Sequence, residues 1–289
     1  MNFLPGMEPD FDVKQELRFI GGVLDLRQFD KVFISVSGGK DSHAMTFLVK
    51  ELAEKQGCTD RLIAMYADTG MEWHNAESHV RKICEAAGIP LEVVYPVRPM
   101  LEQMKYRGQR LIEMERKRYD GKSNTGVLFP SPHCRYCTQN QKIDPMDKLV
   151  RKYSGKLLKI TGERWAESKA RSTYSEFIKV DRISTQKAVN MWGGGRSYRV
   201  VYGWRPMLAF TTEDVFQMVK DSGVERHMAY DAGCDRLGCA GCIFSNDREL
   251  KIEMENNPHI LAGLNELERQ SGFTMCMDGR TVMERIKKA

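Results

Sequence analysis

The chain has 289 residues, 42% of them apolar, with 44 Lys and Arg against 39 Asp and Glu for a formal charge of +5. This composition supplies a core for one large domain or two modest ones and excludes a disordered chain, while the mild positive balance permits a nucleic-acid partner without requiring one. No stretch reaches the ~18 continuous apolar residues of a membrane span, and Met1-Asn2-Phe3-Leu4-Pro5 lacks a basic segment followed by an apolar core, so a cytoplasmic protein with no membrane partner is expected.

The first strong element is the apolar run Val32–Val36, which leads into Ser37-Gly38-Gly39-Lys40-Asp41-Ser42. A strand ending in Ser-Gly-Gly and feeding a helix lets phosphate oxygens approach backbone N–H groups at the positive end of a helix dipole. Lys40 adds a mobile cation and Asp41 a carboxylate for Mg²⁺ or its water; the Ser37 and Ser42 hydroxyls can donate to phosphate or cap the helix. The spacing is neither that of a Walker A loop nor Gly-x-Gly-x-x-Gly. Ala44, Met45, Leu48, Leu52 and Ala53 recur at helical intervals and predict the face laid on a sheet.

Leu62–Ala67 and Leu91–Tyr95 predict further strands, the former followed by Asp68-Thr69-Gly70, which reads as a close approach to a nucleotide or as a simple turn. Lys105, Arg107, Arg110, Arg116, Lys117, Arg118 and Lys122 are interleaved with Tyr106 and Tyr119. A solvated helix face with pairs such as Glu113 and Lys117 is the preferred reading there, and a phosphate-backbone surface the alternative. Leu157–Ile160 predicts a fourth strand, followed by Gly162-Glu163-Arg164, whose charges suit phosphate or Mg²⁺ or a surface ion pair. Trp192-Gly193-Gly194-Gly195-Arg196 reads as a lid with Arg196 and Arg199 reaching inward, or equally as a passive linker. Thr211-Thr212-Glu213-Asp214 starts a helix with Val215, Met218 and Val219 on its apolar face. Strands alternating with helices predict a doubly wound, mainly parallel α/β sheet with its ligand beyond the strands' carboxyl ends.

Eight cysteines in a chain with no export signal are read by spacing and not as disulfides. Cys134 and Cys137 form a CxxC just after the turn-rich Pro130-Ser131-Pro132; about a hundred residues later Cys234, Cys239 and Cys242 form a Cx₄CxxC among glycines. Four of these five fit a tetrathiolate site for Zn²⁺ or an iron–sulfur cluster, and spacing does not choose between them. Cys58, Cys84 and Cys276 are isolated, and His43 and His133 read as structural histidines or as substrate and metal contacts respectively.

Ser37 to Ser42 resembles the PP-loop of the ATP pyrophosphatases, which cleave ATP between the α- and β-phosphates. With Tyr66-Ala67-Asp68-Thr69-Gly70, Thr161-Gly162-Glu163-Arg164, Glu167-Ser168 and Arg171, the pattern over about residues 31 to 244 is similar to the branch containing the phosphoadenylyl-sulfate reductases. The resemblance implies an adenine nucleotide alpha hydrolase-like fold over residues 1–205, with a smaller helical C-terminal part, 206–289, carrying the cysteine cluster. It also implies that Lys40, Asp41 and Ser42 act on ATP and Mg²⁺, with Ser37, Gly38, Gly39, Asp68, Thr69, Gly70, Gly162, Glu163 and Arg164 holding the nucleotide. His133-Cys134-Arg135-Tyr136-Cys137-Thr138, Lys142, Pro145 and Arg236–Cys242 look like cysteine segments that carry a 4Fe-4S cluster in related enzymes, which favours the cluster over Zn²⁺. Cys137, Cys239 and Cys242 are then the surest ligands, with Cys234 or Cys134 as the fourth.

The combination looks closest to the ATP-pyrophosphatase component of bacterial DNA phosphorothioation systems. That implies adenylation of a nucleic-acid oxygen, most readily in DNA, a cysteine desulfurase as sulfur donor, and other components of a modification complex as partners. A tRNA thiolation enzyme and a phosphoadenylyl-sulfate or adenylyl-sulfate reductase are the alternatives. The reductase family's Glu-Cys-Gly-x-His tail is missing here: Cys276 lies in Phe273-Thr274-Met275-Cys276-Met277. A non-catalytic nucleotide sensor would bind ATP without cleaving it.

Overall fold

Continuous apolar strands need cover on both faces, and here the strongest such runs lie at the middle of one sheet. The computed structural model describes residues 10–119, 128–185 and 198–289. After α1 (Asp10–Gln15) and a short hairpin of β1 (Phe19–Ile20) and β2 (Val23–Leu24) come β3 (Lys31–Ser35), α2 (Lys40–Gln56), β4 (Leu62–Ala67), α3 (Ala76–Ala87) and β5 (Leu91–Val94). Next are α4 (Met100–Tyr119), the single turn α5 (Tyr136–Thr138), a π-helical turn Gln139–Ile143, α6 (Asp144–Val150), β6 (Gly155–Ile160), β7 (Phe177–Lys179) and β8 (Arg199–Trp204). The chain ends in helices: α7 (Thr212–Asp221), α8 (Met228–Asp231), α9 (Asp247–Asn256), α10 (Pro258–Ser271) and α11 (Val282–Lys288). No described helix is long and apolar enough to cross a membrane.

The main sheet has the order β5-β4-β3-β6-β8-β7. β3 pairs in parallel with β4 and β6, β6 with β8, and only β7 runs antiparallel, on the edge. The fold is thus the doubly wound, mainly parallel α/β class expected. Val32, Phe33, Ile34, Leu157, Leu158, Ile160 and Val201 are wholly buried. The edge is closed by aromatic contacts: the Phe177 and Trp204 rings stack 6.1 Å apart, and Phe19 meets Phe177 edge-on at 5.6 Å. Because β3 leads outward to β4 and β5 before β6 returns to its other side, the topological switch lies between β3 and β6, where ligands of such sheets bind.

The described chain divides into two compact units, neither of them one continuous stretch. One takes its residues from Met1–Tyr66, Ser78–Val93 and Met146–Arg226; the other from Ala67–Glu77, Val94–Pro145 and His227–Ala289. The first contains most of the sheet. The second is mainly helical, with α10 packed on α4, α9 and α11. Its helix starts follow from sequence: Asn246 with Glu249 and Thr281 with Glu284 form reciprocal capping boxes, and Pro258 opens α10.

The predicted α2 face shifts slightly. Ser42, Met45, Thr46, Val49 and Ala53 are buried, whereas Leu48 and Leu52 are only partly covered. Arg199 does not reach toward a ligand: its guanidinium donates to the carbonyls of Ile183 (2.6 Å) and Arg151 (2.9 Å) and so ties β8 to its surroundings. Trp192–Arg196 lies outside the described residues.

Candidate functional site

In the first unit, the loop after β3 and the loop after β6 meet. Gly38 takes φ +78°, a left-handed conformation open to glycine, and Gly39 at φ −71°, ψ 155° is the N-cap of α2. The Ser42 hydroxyl closes the loop by accepting from the Ser37 amide (3.1 Å), bonding the Ser37 hydroxyl (3.1 Å) and donating to the Gly39 carbonyl (3.0 Å). The serine pair therefore staples the loop, leaving the first-turn amides of α2 at the positive end of its dipole.

Asp41 stands between two cations. Arg164 Nε donates to its Oδ1 at 2.5 Å and Lys40 Nζ lies 3.4 Å from its Oδ2, with Lys40 only 7% and Arg164 only 4% exposed. Arg164 also donates to the Phe210 carbonyl (3.2 Å) and the Thr212 hydroxyl (3.3 Å). Gly162 allows this contact, since a Cβ there would sit 3.3 Å from the Asp41 carbonyl and 3.4 Å from the Ser42 nitrogen. Glu163 faces Arg205 at 3.7 Å, and Glu167 accepts from the Arg164 amide at 2.7 Å and pairs with Arg171. Two motifs more than a hundred residues apart in sequence thus form one charged corner at the sheet's switch point.

Sequence reasoning missed what lies beneath it. The His79 ring hydrogen-bonds the Gly38 backbone, and His43 meets His79 edge-on at 5.9 Å and bonds the Ser222 hydroxyl at 2.9 Å. Burial first, and His79 second, push His43 down to about 4; burial, then Lys82, lowers His79. Both rings are neutral at physiological pH, and His43 is a core residue. His79 carried no motif; its signal was the helical period of α3.

In the second unit, Asp68-Thr69-Gly70 forms a tight turn, with the Gly70 amide donating to Asp68 Oδ1 (2.9 Å) and Gly70 at φ +76°. A Cβ there would fall 2.9 Å from that of Pro99. The Thr69 hydroxyl donates to Glu72 (2.9 Å), and Glu72 in turn meets Lys142 Nζ at 3.3 Å and Cys239 Sγ at 3.5 Å. The Ala240 amide donates to the Met71 carbonyl at 2.7 Å, so the late cysteine loop is fixed to this turn. Glu72 was not singled out in sequence; its place three residues after Thr69 was the available signal.

The two cysteine loops also come together. Lys142, on the π-helical turn after Cys137, hydrogen-bonds Cys239, and Arg135 and Arg236 lie over the Phe244 ring at 5.1 and 5.9 Å. Arg236 also donates to Cys242 Sγ at 3.6 Å, and the Cys134 amide to the Ser131 hydroxyl at 3.0 Å. Burial pushes Cys239 up to about 12 and Cys234 up to about 11. Burial works to lower Lys142, but Cys239 and Glu72 outweigh it and hold its ammonium above the ordinary lysine value. Glu253 is buried and bonds the Gly241 amide (2.9 Å) and Ser245 hydroxyl (2.7 Å); burial nevertheless raises its carboxyl to about 7. Among the described residues no group of three or more His, Cys, Asp or Glu side chains is drawn together as a metal-ion site, and His133 is exposed. The donors present are nonetheless thiols on two touching loops, the first proline-bracketed and the second glycine-rich, with a cation at two of them, a set suited to soft, thiolate-bound metal.

A doubly wound sheet with a glycine loop, helix N-terminus and paired cations at its switch point defines a nucleotide-binding α/β protein. The family model for the phosphoadenosine phosphosulfate reductase domain matches residues 31–244, and the chain belongs to that family, within the PP-loop ATP pyrophosphatase superfamily and its adenine nucleotide alpha hydrolase-like fold. Its members include enzymes.

Among curated proteins, an uncharacterized 37.8 kDa protein in the gpa 5'region of Escherichia phage 186 is 27% identical over 82% of this chain and 74% of its own length. An uncharacterized protein of Methanocaldococcus jannaschii is 25% identical over 83% of this chain, which spans 48% of that relative. Of solved structures, phosphoadenylyl-sulfate reductase from Candida auris, a phosphate complex, is 14% identical with a TM-score of 0.45, over 75% of this chain and 85% of that one. The U34-tRNA thiolase NcsA from Methanococcus maripaludis, with its [4Fe-4S] cluster, is 15% identical with a TM-score of 0.39, over 93% and 80%.

Proposed function

We propose that this protein adenylates an acceptor oxygen with ATP, releasing pyrophosphate, and so prepares that oxygen for replacement by sulfur. The observation that carries the proposal is the junction of Ser37–Ser42 with Gly162–Arg164 around Asp41. The amides of Gly38 and Gly39 with Lys40 hold the pyrophosphate as it leaves, and Asp41 orients Lys40 and Arg164 toward the charge developing there. Both Asp41 oxygens are engaged by these cations, so Mg²⁺ arriving with the nucleotide is bound through water or in exchange for the Lys40 contact. Asp68, Thr69 and Gly70 are proposed to contact the nucleotide as well.

Cys137, Cys239 and Cys242, with Cys134 or Cys234 as fourth, are proposed to hold a 4Fe-4S cluster in preference to Zn²⁺; when bound, the cluster carries the sulfur to be transferred. Lys142 works against the effect of burial on Cys239, and Arg236 donates to Cys242 Sγ. The acceptor we favour is a nucleic-acid oxygen, in DNA phosphorothioation before tRNA thiolation, with a cysteine desulfurase as sulfur donor among the components of a cytoplasmic modification complex. A sulfate reductase would need a reactive late cysteine, whereas burial pushes Cys276 up despite the neighbouring Arg285.

The decisive measurement is AMP and pyrophosphate formation from ATP with DNA, tRNA and small acceptors. Lys40→Ala is expected to abolish both while leaving the fold intact; normal pyrophosphate release by that variant, or binding without cleavage by the native protein, overturns the proposal. Iron, sulfide and zinc analysis after anaerobic purification decides the metal: stoichiometric zinc without sulfide refutes the cluster.

A further inference from the structure

A guanidinium over an aromatic ring is positioned by it while N–H groups stay available for phosphate, and five arginines of the second unit lie within 5.9 Å of a ring centroid. Arg98 lies 3.9 Å from the Tyr106 centroid, and Arg110 both approaches that ring at 5.9 Å and donates to its hydroxyl at 3.2 Å. Arg107, the next residue along α4, lies 4.0 Å over Tyr136; its neighbour Arg135 covers Phe244, which Arg236 also approaches. The five therefore form a connected series, α4 to the first cysteine loop to the second. None has a carboxylate at ion-pair distance among the described residues, although Glu113 acts on Arg110 and Arg236 on Glu253 through space; one N–H of Arg135 goes to the Thr138 hydroxyl and one of Arg236 to Cys242 Sγ, which leaves the rest of each edge for phosphate. Elsewhere the guanidinium groups of Arg164, Arg280 and Arg285 are committed to aspartates. Arg110, Arg135 and Arg236 are exposed, and so is the ring of Phe244 (44%).

Cations without a carboxylate partner, set on aromatic rings of which Phe244 is exposed, match the two features of a single strand, its phosphates and its unstacked bases. A duplex hides the base faces and leaves the rings without a role. We propose that the Arg98–Tyr106–Arg110 and Arg135–Phe244–Arg236 stacks form a binding surface for single-stranded nucleic acid, with phosphates on the arginines and a base against Phe244. This deepens the reading of a nucleic-acid acceptor and rests on it. It also reverses the preference for a merely solvated α4 face over Lys105–Arg110.

The test is fluorescence anisotropy of the full chain with labelled 12-nucleotide DNA, RNA of the same sequence, and the DNA duplex, across a salt series. Single strands are expected to bind more tightly than the duplex, and the ratio of DNA to RNA affinity identifies the sugar. Phe244→Ala is expected to weaken single-strand binding roughly tenfold, while Phe244→Tyr, which keeps the ring, restores it. Arg98→Ala with Arg110→Ala lowers the slope of log affinity against log salt by about 1.4, two phosphate contacts at ~0.7 each, with melting temperature unchanged. Duplex binding equal to single-strand binding, or single-strand binding indifferent to these variants, overturns the surface. Lys40→Ala separates the two proposals: it is expected to bind the single strand normally and form no AMP. AMP formation without single-strand binding by the native chain refutes the surface alone, and retained pyrophosphate release by Lys40→Ala refutes the adenylation alone.

Discussion

Asp41 is the point at which the loops Ser37–Ser42 and Gly162–Arg164 are joined, and its removal has a calculable cost. Asp41→Ala leaves the side chains of Arg164 (5% exposed) and Lys40 (8%) without their carboxylate, while Arg164 keeps the Phe210 carbonyl and Thr212 hydroxyl. Breaking a fully buried pair costs about 3–5 kcal/mol and a hydrogen bond to a charged group contributes about 1.5–3 kcal/mol. Asp41 is itself 18% exposed, so water partly compensates and a destabilisation of about 2–3 kcal/mol is expected. Arg164→Ala should cost a similar amount. In a double-mutant cycle read by urea unfolding, the double variant should fall short of the summed single effects by about 1–2 kcal/mol. Additivity within about 0.5 kcal/mol would refute the joint between the loops.

Stability should respond to pH through two opposed groups. Glu253, raised to about 7 by burial, stabilises the fold only while protonated, so its contribution is full below the unfolded value and falls as pH rises from about 4.5 to about 7; His43, lowered to about 4, contributes in the opposite sense and is lost as pH falls from 6.5 toward 4. Urea midpoints of Glu253→Gln should therefore rise with pH over this window more steeply than those of the native chain, and an unchanged profile would contradict the burial assigned to Glu253. Ser42→Ala removes three hydrogen bonds of the phosphate loop and should cost about 1–3 kcal/mol together with nucleotide affinity, measured by calorimetric titration of ATP. Gly70→Ala meets both a left-handed φ and the Pro99 side chain and should lower the melting temperature by several degrees, whereas Gly272→Ala, strained in φ but with open space around it, should lower it less.

The elements read most directly from sequence were those whose local chemistry and tertiary role coincide. β3, β4, β5 and β6 begin and end within two residues of their apolar runs, and α7 starts where Thr211 and Asp214 cap it. β8 was not recognised although five of its six residues are buried, because Gly203 interrupts the apolar run. That glycine is demanded by tertiary structure, since a Cβ there would lie 2.7 Å from the Ile178 side chain. The Ser37–Ser42 junction between β3 and α2 was legible because its glycines and serines fall in six consecutive residues. Glu72 and His79 were not, because each derives its meaning from a partner distant in sequence: Cys239 and Gly38 respectively.

The interleaved order of the two units also sets a timetable. All stretches of the unit with the phosphate loop have been synthesised once Arg226 is added, whereas the unit with the cysteines waits for the chain's last helix. Cys137 precedes Cys239 by about a hundred residues, an interval of roughly 5–20 s at ordinary ribosomal rates of about 5–20 residues per second. For that time Cys134 and Cys137 stand without Cys234, Cys239 and Cys242. The thiol set is therefore completed late, after every stretch of the unit that contains Ser37–Ser42 has been made.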